Sequence, residues 1–337
     1  MSSVKIGSLN CRGLADEVKR KDFFLRCKNK YDISVLIDTH CKKEKENQWR
    51  QEWGYTCYFS SHTGNSRGIA VLFNNTFQFK VHDEIKDKEG NFLIFDVTIQ
   101  ECRMTLVALY GPNEDSPNFY KKLQEHITFL NNSSIIMVGD WNVVQDYDLD
   151  TCNYKSKNNL NTHEKIYDMK ESLDLVDIWR ALNPDKTRYT WGGPGLKQSR
   201  LDYFLISTDF EQHVQYADTD MSYRSDHSPV NLVLQFYNQK KGKGTWKFNN
   251  NLLHDKDYVS QIKTCILNTV NQYSLNTENG EEIQFSINPH IFWEILKCEI
   301  RGKTISYSSY LKKKTQSDEK ELENELIDLQ AIYNTQF

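Results

Sequence analysis

The sequence lacks a long apolar run, a recognisable N-terminal signal peptide, cysteines at CxxC spacing and a surplus of positive charge. A bilayer-spanning helix needs about 18 or more consecutive apolar residues, so no membrane partner is expected. The eight cysteines (Cys11, Cys27, Cys41, Cys57, Cys102, Cys152, Cys265 and Cys298) are scattered. A disulfide framework belongs to short secreted chains; with no signal peptide, the expectation is reduced thiols in an intracellular protein, used as core or surface residues. The formal net charge is −4. Nucleic-acid binders often carry an overall basic footprint, so any such contact here needs a local basic face or a metal that offsets the carboxylates. No internal repeat is present. What the chain does have is 337 residues, 38% of them hydrophobic and 26% charged, enough for one large domain with an appendage.

Up to about residue 237, short apolar runs alternate with polar, turn-rich stretches. The runs cover 4–9, 33–37, 68–73, 92–99, 104–110, 135–138, 201–206 and 230–236, and their lengths and β-branched content predict strands. Helical patterns fall between them, over 119–130 and 164–175, and 171–179 reads as a helix leading into a packed end. Strands mixed with helices predict α/β or α+β layers. Asn238-Gln239-Lys240-Lys241-Gly242-Lys243-Gly244 is basic and free of apolar residues, a linker composition that divides a 1–237 domain from a largely helical 238–337 segment. In that segment Leu322, Leu326, Leu329 and Tyr333 recur at 4-3-4 spacing. Such a stripe needs a partner surface, either within the segment or further downstream.

Six polar motifs sit at the edges of apolar runs: Leu9-Asn10, Ile37-Asp38-Thr39-His40, Tyr110-Gly111-Pro112-Asn113, Gly139-Asp140-Trp141-Asn142, Arg200-Leu201-Asp202-Tyr203 and Ser225-Asp226-His227-Ser228. Strand ends opening into loops are where rigid scaffolds place catalytic groups. Cutting a phosphodiester needs an activated water, charge neutralisation at phosphorus and help for the departing oxygen, much of which a hard metal bound by oxygens supplies. Asp38, Asn10 and Asp226 offer oxygens of that type. Asp140 and Asn142, two residues apart, would lie on one side of an extended segment, one to align water and the other to hold phosphate. His227 can donate to a phosphate oxygen, with Asp202 orienting its ring. Singly each motif reads as a turn, a cap or, for Tyr110, a core residue; a lone Ser-Asp-His is catalytic roughly one time in ten. Their coincidence in one chain is what points to chemistry.

In this order the motifs resemble those of the endonuclease/exonuclease/phosphatase superfamily, which includes apurinic endonucleases and pancreatic-type deoxyribonucleases. The likeness spans 4–236, and within the superfamily the sequence is most similar to the endonuclease domain that opens the second reading-frame protein of LINE-type (non-LTR) retrotransposons. The resemblance implies an α/β fold: a four-layer α/β sandwich of two central sheets flanked by helices, here with a helical C-terminal extension. It also implies that Asn10 lies near the metal, that Tyr110 and Asn113 contact phosphate and substrate, and that Asp140 and Asn142 activate water and align phosphate. Thr190 in Arg-Tyr-Thr-Trp matches a DNA-contacting threonine, Asp202 the aspartate after an Arg-Leu pair, and Ser225, Asp226 and His227 the Ser-Asp-His motif. One position departs: where the family reads Gln-Glu-Thr-His, with glutamate the main metal ligand, this chain has Asp38, about one ångström shorter against magnesium's strict geometry.

The implied cofactor is Mg2+, with Mn2+ as a substitute, and the implied partners are double-stranded DNA and, through a part downstream, the element's RNA. Action in the nucleus is implied, without a clear targeting signal. Phosphate contacts position a duplex without specifying its sequence; Arg67, Lys197 and Arg200 flank the expected site, and the loop Trp191-Gly192-Gly193-Pro194-Gly195 corresponds to one that reads groove shape in the related enzymes. Gly244-Thr245-Trp246-Lys247-Phe248-Asn249-Asn250 and the 293–305 region resemble the connector to a reverse transcriptase. Three readings follow: a nickase that leaves a 3′-hydroxyl to prime reverse transcription, an apurinic repair endonuclease of the same fold, and a nucleic-acid-binding relic weakened at Asp38.

Overall fold

The structure is a computed structural model that describes residues 2–64, 66–132, 134–236, 248–275 and 284–335. The linker at 238–244 lies outside the described residues. The chain forms two compact units, Met1–Gly242 and Lys243–Phe337.

The first unit opens with β1 (Ser2–Asn10), α1 (Glu17–Lys30), β2 (Ile33–Ile37), α2 (Glu46–Trp53), β3 (Cys57–Ser60), β4 (Ile69–Phe73), β5 (Phe79–Lys86), β6 (Phe92–Ile99) and β7 (Cys102–Tyr110). It continues with α3 (Pro117–Phe129), β8 (Ile135–Asp140), β9 (Thr151–Cys152), α4 (Leu160–Ser172), β10 (Leu175–Asp177) and α5 (Ile178–Leu182). It closes with β11 (Trp191–Gly193), β12 (Lys197–Ser199), β13 (Asp202–Ser207), β14 (Val214–Thr219) and β15 (Val230–Phe236). Two six-stranded sheets result, ordered β14-β15-β1-β2-β4-β3 and β10-β13-β8-β7-β6-β5, with a three-stranded sheet β11-β12-β9 beside them.

Ile6, Val35 and Val71 of the first large sheet meet Phe95, Leu106 and Val138 of the second in one core. The second sheet's other face packs Val107 and Met137 against Tyr120 and Leu123 of α3 and Ile166 and Met169 of α4. The first sheet's other face packs Leu36 and Leu72 against Phe23 and Phe24 of α1 and Trp49 and Trp53 of α2. The layers are therefore helix, sheet, sheet, helix, the sandwich that the resemblance implied. Covered on both faces, β2 and β4 are buried throughout, which is why they read as unbroken apolar runs rather than alternating ones. α1 begins at Asp16, whose side chain accepts from the Lys19 N–H, and carries Lys28 and Lys30 in its last turn, matching cap and dipole preferences.

The 171–179 stretch is not one helix. α4 ends at Ser172, Asp174 turns the chain with φ +51°, and Leu175–Asp177 pairs antiparallel with β13. Pairing with a sheet edge overrides the helical spacing of Leu173 and Val176. The expected strands omitted β5 and β14, and the expected helices omitted α1 and α2. β5 and β14 end the two large sheets, and polar residues blunt such edges, removing the apolar signal.

In the second unit, taken by itself, α6 (Lys256–Tyr273) packs on α7 (Pro289–Thr335). The Tyr258 and Thr304 hydroxyls lie 2.7 Å apart, and the Tyr307 hydroxyl donates to Asp255 at 2.7 Å. Leu322, Leu326 and Leu329 are exposed, while the side chain of Tyr333, the fourth of that stripe, lies outside the described residues. Among the described residues no helix is long and apolar enough to cross a membrane.

Candidate active site

Strand register brings the polar motifs to one end of the sandwich. β1 and β2 run parallel with Asn10 opposite Ile37, so Asn10 and Asp38 emerge at the same edge. β7 and β8 run parallel with Tyr110 opposite Asp140, and antiparallel β13 starts with Asp202 opposite Asp140. A Cβ at Gly139 would overlap the Leu109 carbonyl and one at Gly111 the Trp141 carbonyl; both glycines let the tips of β7 and β8 close on each other. His227 arrives from the loop before β15 and bridges to Trp191.

A cavity of about 320 Å³ opens here, and Asn10, Asp38, Tyr110, Asn113, Asp140, Asn142, Asp226 and His227 all line it. Three lining residues have left-handed backbone: Arg12 (φ +46°), Asp38 (φ +53°) and Asn142 (φ +52°). Such strain persists only where the surroundings hold it, and it concentrates at functional sites. The turn at Asn142 departs from the extended geometry expected of Asp140-x-Asn142. Instead the Asn142 N–H donates to Asp140 Oδ1 at 3.0 Å and its Nδ2 to the Gly111 carbonyl at 2.7 Å.

A buried chain of polar groups runs through the site. His227 Nδ1 lies 2.8 Å from Asp202 Oδ2, His227 Nε2 lies 3.7 Å from Asp140 Oδ2, and Asn10 Nδ2 donates to Asp140 Oδ2 at 2.8 Å. Burial alone would lower the His227 pKa, but the Asp202 and Asp140 charges outweigh it and raise it to about 9. Asp140 is pushed up, to about 7, by burial first and then by the Asp202 charge, against the opposing pull of His227 and Asn10. Burial, then the charges of Asp38 and Asp140, raises the Tyr110 phenol, so it stays a neutral O–H donor. Asp202 stands behind His227 and orients it.

Asp38 accepts through Oδ1 from the Arg67 N–H at 2.9 Å and lies 3.1 Å from His40 Nε2. Its Oδ2 makes no hydrogen bond to a described residue. Among the described residues Asn10 Oδ1 takes only the Arg12 N–H, at 3.1 Å, and keeps a lone pair. A free carboxylate oxygen and an amide oxygen on the wall of one cavity are a donor set suited to a hard divalent cation. Asp140, Asp202 and His227 also bring ligand-type atoms within 4.8 Å of one another; His227 Nδ1 and Asp202 Oδ2 are hydrogen-bonded to each other, while His227 Nε2 stands 3.7 Å from Asp140 Oδ2.

Three expected DNA-contact residues do not line the cavity. Arg200 is 1% exposed and ion-paired to Asp150 and Asp177, so it does not reach a duplex; a charge this deep is held by its carboxylates. Thr190 is also 1% exposed, its Oγ accepting from the N–H groups of Leu201 and Asp202 at 3.0 Å each. It is a strut for the start of β13. Replacing Thr190 by valine is expected to cost about 1–3 kcal/mol through two unpaired N–H groups, measured by chemical denaturation, with DNA affinity unchanged. Ser225 caps its own turn, its Oγ accepting from the His227 N–H at 3.2 Å, and does not line the cavity. Lys197 is exposed and sits over the Tyr154 ring at 5.5 Å.

The cavity also takes in Arg12, Tyr154 and Asn158, which the motifs did not single out. Arg12 was within reach, two residues after Asn10. Tyr154 and Asn158 come from a loop that the small sheet, through β9 and β12, carries to the site, a placement without local sequence signal.

The profile of the Endonuclease/Exonuclease/phosphatase family matches residues 7–227. The chain belongs to this family. It is 26% identical over 270 residues to the transposon TX1 uncharacterized 149 kDa protein of Xenopus laevis, covering 77% of this chain and 20% of that protein, so the chain spans about a fifth of this relative's length. Among solved structures, the AP endonuclease LMAP of Leishmania major superposes with a TM-score of 0.60 at 16% identity, over 70% of this chain and 88% of its own. The 3′ phosphatase NExo of Neisseria, bound to product DNA hairpin, superposes with a TM-score of 0.55 at 19% identity, over 69% and 100%. These structural likenesses show a shared fold.

Proposed function

We propose that this chain is a divalent-metal-dependent DNA endonuclease that nicks one strand and leaves a 3′-hydroxyl. The single observation that carries the reading is the buried Asp202–His227–Asp140–Asn10 chain opening, beside Tyr110, into one cavity at the sheet ends. Asp140, its pKa near neutral, is poised to take a proton from the attacking water, the range in which a general base works best. His227, kept protonated by Asp202, donates to a non-bridging phosphate oxygen as charge builds there. Tyr110 donates its neutral hydroxyl to the same group, and Asn113 and Asn142 orient the substrate. The water oxygen bonds to phosphorus, the P–O3′ bond breaks, and the 3′ oxygen takes a proton from solvent, giving a 3′-hydroxyl and a 5′-phosphate.

Asp38, with Asn10 and Asp226, would hold Mg2+ or Mn2+, which when bound would neutralise the phosphate and stabilise the departing oxygen. Asp38→Asn keeps the Oδ1 acceptor and removes the charge. It is expected to raise the Mg2+ concentration for half-maximal nicking by about tenfold without altering metal-free melting; an unchanged requirement would place the cation elsewhere.

The transposon relative supports a role in target-primed reverse transcription in the nucleus. On this reading residues 1–237 are the nuclease and 238–337 the connector to a reverse transcriptase that handles the element's RNA. The test is direct extension of the nicked strand by a DNA polymerase, with intact and abasic duplexes compared. Extension without phosphatase treatment, and cutting of intact DNA, are expected. A strict demand for an abasic site would instead indicate a repair enzyme.

A further inference from the structure

The cavity is rich in carboxylates, with Asp38, Asp140 and Asp226 in its wall, yet the proposed substrate is an anion. Among the described residues lining it, Arg12 is the one arginine or lysine. Its backbone is fixed to the metal-side edge of the site. The Arg12 N–H donates to Asn10 Oδ1 at 3.1 Å, its carbonyl accepts from Lys19 Nζ at 3.3 Å, and the next residue, Gly13, donates to the Asp38 carbonyl at 2.7 Å. That lacing holds a φ of +46°, which an arginine rarely adopts. The side chain itself is 68% exposed and, among the described residues, makes one hydrogen bond, from NH1 to Asp226 Oδ2 at 2.8 Å.

We infer that Arg12 is a catalytic residue whose guanidinium, parked on Asp226 at the cavity wall, grips a non-bridging oxygen of the phosphodiester to be cut. The inference rests on the phosphodiesterase reading above. A guanidinium carries five N–H donors in a rigid fork, and among the described residues only one is engaged with another side chain here. Its remaining donors match the geometry of a phosphate. An exposed ion pair is weak and exchanges readily, so the phosphate competes for the fork on even terms. The bland alternative makes Arg12 only a tether that steadies Asp226.

The full chain, a fluorescein-labelled DNA duplex and a chelating buffer separate these roles, because binding is then read without metal or turnover. Arg12→Ala is expected to weaken binding about tenfold and to reduce the slope of log affinity against log salt by about one; Arg12→Lys should retain the slope and part of the affinity. Asp226→Asn, which frees the guanidinium, should bind as tightly as the parent or more tightly. In magnesium, Arg12→Ala should lose about 100-fold in kcat for nicking. Arg12→Ala binding with unchanged affinity and slope would overturn the inference. So would Asp226→Asn losing as much affinity as Arg12→Ala, since that marks a tether. A parent chain that nicks while Arg12→Ala nicks equally removes this inference alone; a parent that neither binds nor nicks removes the phosphodiesterase reading with it.

Discussion

Replacing Asp140 by alanine is expected to lower kcat for DNA nicking by about 10²- to 10⁴-fold, the range for losing a positioned general base. Asp140 is 1% exposed, with one oxygen held by the Asn142 N–H and the other by Asn10 Nδ2. Asp140→Asn should lose similar activity without weakening the fold above neutral pH. A carboxyl whose folded pKa lies above its unfolded one binds more protons when folded, so its ionisation weakens the fold as pH rises from its ordinary value to about 7. Removing that charge should leave the melting temperature at pH 8 the same or higher. A variant that loses activity while keeping its melting temperature separates chemistry from folding; one that loses both would mean that Asp140 is structural. Asp202→Asn removes the first of the charges that raise the His227 pKa, so the alkaline limb of the pH–rate profile should move to lower pH.

The second large effect belongs to Arg200. Its Nε and NH2 fork onto both oxygens of Asp150 at 2.8 Å each, NH2 also reaches Asp177 at 2.6 Å, and Arg180 donates to Asp150 at 2.5 Å. The guanidinium lies over the rings of Trp179 and Tyr203, at 5.3 and 5.2 Å. Burial alone would lower its pKa, but the Asp177 and Asp150 charges hold it firmly protonated. Arg200→Ala strands Asp177, a buried carboxylate that also caps α5, and leaves Asp150 with half its partners. Breaking a buried pair from one side costs about 3–5 kcal/mol, or about 10 °C in a unit of this size. At a temperature where the variant is folded, its DNA affinity should equal that of the parent, because the side chain does not reach the surface. Lost affinity with intact melting would restore Arg200 as a DNA contact.

The contrast between Asp140 and Arg200 marks what a sequence exposes. Strands buried on both faces, such as β2 and β4, announce themselves as apolar runs, and the residues at their tips inherit a defined position from register. Asn10, Asp38, Tyr110, Asp140 and Asp202 were therefore legible, and the cavity gathers the first four directly and the fifth behind His227. Edge strands β5 and β14 carry too many polar residues to stand out, and the turn at Asp174 shows how pairing with β13 overrides local helical spacing. Polarity in a motif does not say whether a side chain reaches the cavity: Arg200, Thr190 and Asp202 are all buried, and none of the three lines it. Tyr154 and Asn158 depend on β9 and β12, strands of two and three residues, too short to leave a pattern.

The most direct test of the metal-dependent nuclease reading is nicking of supercoiled plasmid by the purified chain, in magnesium and in chelator, beside Asp140→Ala and His227→Ala. Relaxed circles are expected from the parent chain in magnesium only, with both variants slower by at least about 100-fold. Intact plasmid at every magnesium and manganese concentration, or variants as active as the parent, would contradict it.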